Sequence, residues 1–102
     1  MADKLLPKII YSKRSLANVR TIRDYLLYKF TQREVDNLYS MLGAFENVVV
    51  VIPKLYPLII NSKKIRRAVL SKQLSVFYID SKDRISIVAI LDNRMDNSKW
   101  PK

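Results

Sequence analysis

Arg66, Arg67 and Arg94, with Lys63, Lys64 and Lys72 beside them, are the side chains of this sequence best suited to chemistry. A guanidinium group grips phosphate or carboxylate through two parallel hydrogen bonds, and an ammonium group adds a point charge. These residues therefore suggest an anion-binding surface. What they lack is an obvious proton-transfer partner, because the chain contains no His and no Cys. That removes the usual acid/base of neutral pH, thiolate catalysis, disulfides and Cys-based zinc sites. No metal and no cofactor is expected. Any catalysis would fall to Lys, Arg, Tyr or the few carboxylates.

The positive charge is concentrated along the chain. Net charge is +10 over 102 residues. Between Glu46 and Asp80 stand Lys54, Lys63, Lys64, Arg66, Arg67 and Lys72, with no acid among them. Such a run calls for a polyanionic partner: nucleic acid, an acidic membrane surface or an acidic protein segment. The plainer alternative is that the charge only keeps a small domain soluble. A second basic group follows the last apolar run, where Asp92-Asn93-Arg94 leads to Trp100. A side chain just past a central strand is held rigidly, which suits binding, although Asp92 could simply pair with Arg94.

The elements that must position these residues are readable from periodicity. Lys8–Tyr11 is a short apolar run that suits a first strand. Ser12 or Ser15 then caps a helix whose apolar stripe is Leu16, Val19, Ile22, Leu26 and Phe30. Thr31-Gln32-Arg33-Glu34 has the form of a capping box, with side chain and amide exchanged between Thr31 and Glu34. The helix it starts carries Val35, Leu38, Leu42, Phe45, Val49 and Ile52 on one face. Its β-branched end, Val48–Ile52, can leave the helix early, and Pro53 stops it in any case. Two amphipathic helices with almost no loop between them form an antiparallel hairpin.

After Pro57 the period changes to two. Residues 64–70, 74–80 and 85–91 read as strands, and Ser81-Lys82-Asp83-Arg84 is the tight turn pairing the last two. The last run is apolar on both faces, which marks an interior strand. The fold class is α+β: an N-terminal strand, a helical hairpin, then a three-stranded antiparallel sheet, in one domain over 1–102. On the strand from Lys64, burial of the Ile65/Val69 face under the helices would leave Arg66 open and force Arg67 to find a carboxylate or the rim. A charge-protected sheet edge is the alternative for the same pattern. Together these readings predict a cationic sheet surface braced by two helices. No secretion signal or membrane-length apolar run is visible, so a cytoplasmic protein is expected.

The order of elements, with Ile65-Arg66-Arg67-Ala68-Val69-Leu70-Ser71-Lys72, Val76-Phe77-Tyr78 and Ile87-Val88-Ala89-Ile90-Leu91-Asp92-Asn93-Arg94, resembles the RelE/ParE superfamily of bacterial toxins. The match runs from about Ile9 to Pro101 and includes the turn at Pro57. Many members read R-x-x-V, an aromatic strand, then D-x-R. The resemblance implies a toxin of a type II toxin–antitoxin module, silenced by an antitoxin whose acidic, amphipathic segment wraps it in a hetero-oligomer. One branch of the family cleaves mRNA in the ribosome; the other poisons DNA gyrase and need not be an enzyme. Cleavage by 2′-hydroxyl attack needs a base, an acid and cations around the phosphorane-like transition state. Arg66, Arg94 and one of Lys54, Lys63 or Lys64 would supply the cations. The tail position where RelE-type nucleases carry Tyr or His is Trp100, whose indole can stack or donate but cannot act as a base. Tyr78 is the remaining candidate, and a core aromatic is the more natural reading of it. The missing base tilts the expectation towards gyrase poisoning. A basic nucleic-acid-binding module ranks last, without a helix-turn-helix pattern or clustered exposed aromatics.

Overall fold

Ser12 ends the first strand and starts the first helix, and one side chain does both. In a computed structural model of the chain, which describes residues 6–95, the Ser12 hydroxyl accepts from the Ser15 amide and donates to the Val88 carbonyl, each at 3.0 Å. The elements are β1 (Lys8–Tyr11), α1 (Lys13–Lys29), α2 (Gln32–Val49), β2 (Ile65–Val69), β3 (Leu74–Ser81) and β4 (Arg84–Asp92). The predicted α+β order is the observed one. One difference is that β1 does not stand apart. It joins the same sheet, parallel to β4, giving four strands in the order β1-β4-β3-β2.

The cap sets the phase of α1. With Ser12 as N-cap, Ser15, Val19, Ile22 and Leu26 turn inward. Leu16 and Phe30, expected on that stripe, stay about half exposed. Phe30 is the C-cap, out of helical phase. α1 travels beside β4, since Ser12 meets Val88, Asn18 meets Ile90 and Tyr25 meets Arg94. α2 returns, with Glu34 at Arg94 and Glu46 at Tyr11, so the hairpin is antiparallel as predicted.

Two expectations for α2 are corrected. Thr31 caps it without any side-chain hydrogen bond; only the Thr31 carbonyl meets the Glu34 amide. The Glu34 carboxylate bonds Arg94 instead, because a charge-assisted bond outweighs a neutral one. The helix also leaves its β-branched end at Val49, so Ile52 falls outside the stripe and is half exposed.

The main core lies between the hairpin and one sheet face. Leu74, Val76 and Tyr78 of β3, Ile85, Ile87 and Ile90 of β4, and Ala68 of β2 meet Leu26, Leu38, Leu42 and Phe45 of the helices. On the other face Phe77, Ala89 and Leu91 gather Ile59, Ile65 and Val88. β4 is therefore the predicted two-faced interior strand. An irregularity opposite Phe77/Tyr78 adds one residue to β4, which lets Ile87 and Ile90 both face inward.

β2 does not rely on charge to guard its edge. Its outer side is paired by the preceding segment, through Ile59 N–H to Ile65 O and Arg67 N–H to Pro57 O. Among the described residues no helix is long and apolar enough to cross a membrane.

Candidate functional site

Arg66 and Arg67 come from adjacent positions of β2, so the pleat sends them to opposite faces. The assignment is the reverse of the expected one. β3 pairing places Arg66 opposite Tyr78 and Ala68 opposite Val76, and the large Val76 and Tyr78 side chains face the helices. Register therefore takes Arg66 inward and Ile65 outward. There Arg66 Nε donates to Asp80 Oδ1 at 2.7 Å and Nη1 to the Tyr56 carbonyl at 2.8 Å. Its side chain is 15% exposed and that of Asp80 11%. Arg67, on the other face, meets an aromatic ring and a hydroxyl. Its guanidinium carbon lies 5.7 Å from the Phe77 ring centroid, and Nε donates to Ser75 Oγ at 3.2 Å.

Arg94 is bonded on several sides. Nε and Nη2 donate to the two oxygens of Asp92 at 2.9 and 2.6 Å, and Nη1 donates to Glu34 at 3.0 Å. Phe30 stacks on it, with 5.2 Å between guanidinium carbon and ring centroid. Asp92 chiefly, and Glu34 after it, hold the Arg94 proton more tightly than usual, while burial acts the other way. These residues line a cavity of about 290 Å³ with Asn37, Ser71 and Gln73. Two carboxylates around one guanidinium leave a net negative site, which is poor for a phosphate. The pairing of Asp92 with Arg94 is the plainer of the two sequence readings.

Tyr78 offers no accessible phenol. It is fully buried, edge-on to Phe45 and Tyr56, and its hydroxyl donates to the Pro53 carbonyl at 2.7 Å. Burial raises its pKa, so it cannot serve as a base near neutrality. Its burial favours the core-aromatic reading over the proton-transfer one. Trp100 lies outside the described residues. Among the described residues no cluster of His, Cys, Asp or Glu could hold a metal ion.

Lys63, Lys64 and Lys72 are exposed, but not together. β2 begins beside the β3–β4 turn and runs away from it. Lys63 and Lys64 thus lie at the turn end, while Lys72 lies at the far end, where its carbonyl accepts from Asn93. The single cationic sheet surface expected from the third quarter of the chain is not formed. What replaces it was missed in the sequence. The β3–β4 turn brings Lys82 and Arg84, parallel pairing brings Lys8 opposite Arg84, and the turn after α2 brings Lys54 within 3.8 Å of Asp80. The turn at 81–84 was legible; the parallel docking of β1 was not.

No family model and no curated protein matches the sequence. Solved structures do match. A chain of the chromosomal ParDE TA system from P. aeruginosa superposes with a TM-score of 0.71 at 10% identity, over 85% of this chain and 96% of that one. A chain of the E. coli DinJ-YafQ toxin-antitoxin complex gives 0.56 at 14% identity, over 88% and 96%. The fold is the RelE/ParE fold. Arg66 and Arg94, the arginines of this chain's R-x-x-V and D-x-R patterns, are both paired with its own carboxylates.

Proposed function

We propose that this chain is the bacterial toxin of a type II toxin–antitoxin module, acting in the cytoplasm and neutralised by a co-produced antitoxin. The observation that carries the reading is the fold likeness to a chain of the ParDE system over nearly the whole of both chains. The likeness to a chain of the DinJ-YafQ toxin-antitoxin complex supports the antitoxin as partner.

For the target, the reading favours a non-enzymatic toxin that poisons DNA gyrase. A nuclease needs cations free to meet a phosphorane and a group able to move a proton. Arg66 and Arg94 are neutralised by Asp80, Asp92 and Glu34, and Tyr78 is sealed in the core. These facts weigh against the second reading, a ribosome-dependent mRNA endonuclease with Arg66 and Arg94 as phosphate clamps.

Induced expression must slow the growth of a susceptible host; if it does not, the toxin reading fails in both forms. The purified chain incubated with gyrase and supercoiled plasmid should trap double-strand breaks. Codon-positioned cuts in mRNA on translating ribosomes, without such breaks, would transfer the assignment to the endonuclease.

A further inference from the structure

The turn end of the sheet carries a groove of about 470 Å³ between the segment after α2 and the β3–β4 hairpin. Its apolar wall is Val51, Ile52 and Pro53, and its rim holds Lys54 and Lys82. Val51 and Ile52 are 66% and 50% exposed and adjacent in the chain, so they form a contiguous apolar patch. The one acid in the lining, Asp80, already holds Arg66 at 2.7 Å. Lys63, Lys64 and Arg84 stand exposed around the same end, with no carboxylate partner among the described residues.

The wall is built rigidly. The amides of Val51 and Ile52 both bond the Val48 carbonyl, and the Leu55 amide bonds that of Ile52. Tyr78, from inside the core, holds the Pro53 carbonyl at 2.7 Å. A surface fixed in this way binds without first losing conformational entropy.

We propose that this groove receives an acidic, amphipathic polypeptide segment, its aliphatic side chains against Val51 and Ile52 and its carboxylates on Lys54 and Lys82. Charge complementarity selects an anionic partner. The aliphatic wall selects a polypeptide over a nucleic-acid backbone, which presents sugar and phosphate and has no aliphatic groups to bury there. The segment belongs to the antitoxin of the proposed module, so the inference rests on that reading.

The test uses the isotope-labelled full chain and a short, end-capped helical peptide of Leu and Glu, followed through backbone amide shifts. Shifts should concentrate on Val51–Lys54 and Ser81–Lys82. The double variant K54E/K82E should weaken binding by about tenfold or more, and I52S by a comparable factor. All three positions are exposed, and thermal melts confirm that the variants fold. An oligothymidylate that binds the groove as well as the peptide, with I52S neutral, would overturn the proposal in favour of nucleic acid. Peptide shifts located elsewhere, or none, would overturn it outright. Growth arrest is scored separately: a toxic chain that ignores the peptide loses only the groove, while a non-toxic chain that binds it loses only the toxin reading.

Discussion

Glu34 and Arg94, 60 residues apart, close the gap between the start of α2 and the end of β4 with an ion pair at 3.0 Å. Asp92, whose side chain is 1% exposed, holds the other side of the same guanidinium. Tyr25 of α1 donates to the Arg94 carbonyl at 2.8 Å. One residue thus ties both helices to the turn that follows the central strand.

Arg94→Ala leaves the buried Asp92 carboxylate without its cation, at a cost of about 3 kcal/mol. Glu34→Ala removes only the partner that is 35% exposed and costs about 1 kcal/mol or less. Thermal melts should separate the two variants clearly, since each kcal/mol lowers the midpoint of a domain this size by roughly 4–8 °C. Equal midpoints would mean that Arg94 does not support Asp92.

Tyr78→Phe keeps the ring packing and removes one hydrogen bond, leaving the Pro53 carbonyl unsatisfied. The expected loss is about 1 kcal/mol, with faster amide exchange confined to the 51–55 turn. If the chain is the proposed toxin, growth arrest should persist in this variant, because the phenol is buried. Abolished arrest in a well-folded Tyr78→Phe protein would restore this residue to the candidate catalytic site.

Stability should fall on the alkaline side. Burial and the Glu46 carboxylate raise the Tyr11 pKa well above its ordinary value of 10.0, and burial raises that of Tyr78. The folded state therefore keeps both protons when the unfolded chain has begun to lose them. The stabilisation is complete below about pH 10 and drains away as pH rises from there towards the folded values. Denaturation curves at increasing pH should show this decline, and Tyr11→Phe should flatten it. A wild-type curve that is flat above pH 10 would contradict the raised values.

The sequence carried the fold further than it carried the site. The β-strands, the hairpin and the interior character of β4 follow from apolar spacing, which burial dictates directly. The faces of β2 did not, because its cations divide evenly between the two sides. Only the register with β3, Arg66 opposite Tyr78, decides which side is inner. A usable signal was present in Asp80, two residues beyond Tyr78 and thus on the same face. The capping box failed for a related reason: Glu34 had a stronger partner 60 residues away, invisible to local pattern.

Asn18 shows how a long-range contact replaces a strand. β1 pairs β4 only as far as Ile87, and beyond it the Asn18 side-chain carbonyl accepts from the Ile90 amide at 3.0 Å. Asn18→Ala leaves that buried amide without a partner and should cost about 1–3 kcal/mol. Hydrogen exchange at Ile90 should accelerate more than at its neighbours. A uniform change along β4 would argue against this local role.

Arg66→Lys and Arg94→Lys bear on the choice of target. Lysine keeps the charge beside each carboxylate and gives up the planar, two-point grip. If the arginines serve only the fold, the double variant melts earlier but still arrests growth at temperatures where it is folded. If they clamp a phosphate during RNA cleavage, loss of bidentate contact at the transition state should lower activity by roughly a hundredfold or more. Growth arrest by the folded double variant, measured with gyrase breaks and ribosomal mRNA cuts in parallel, would therefore eliminate the nuclease reading. A folded variant that no longer arrests growth, with mRNA cuts lost alongside, would eliminate the gyrase reading instead.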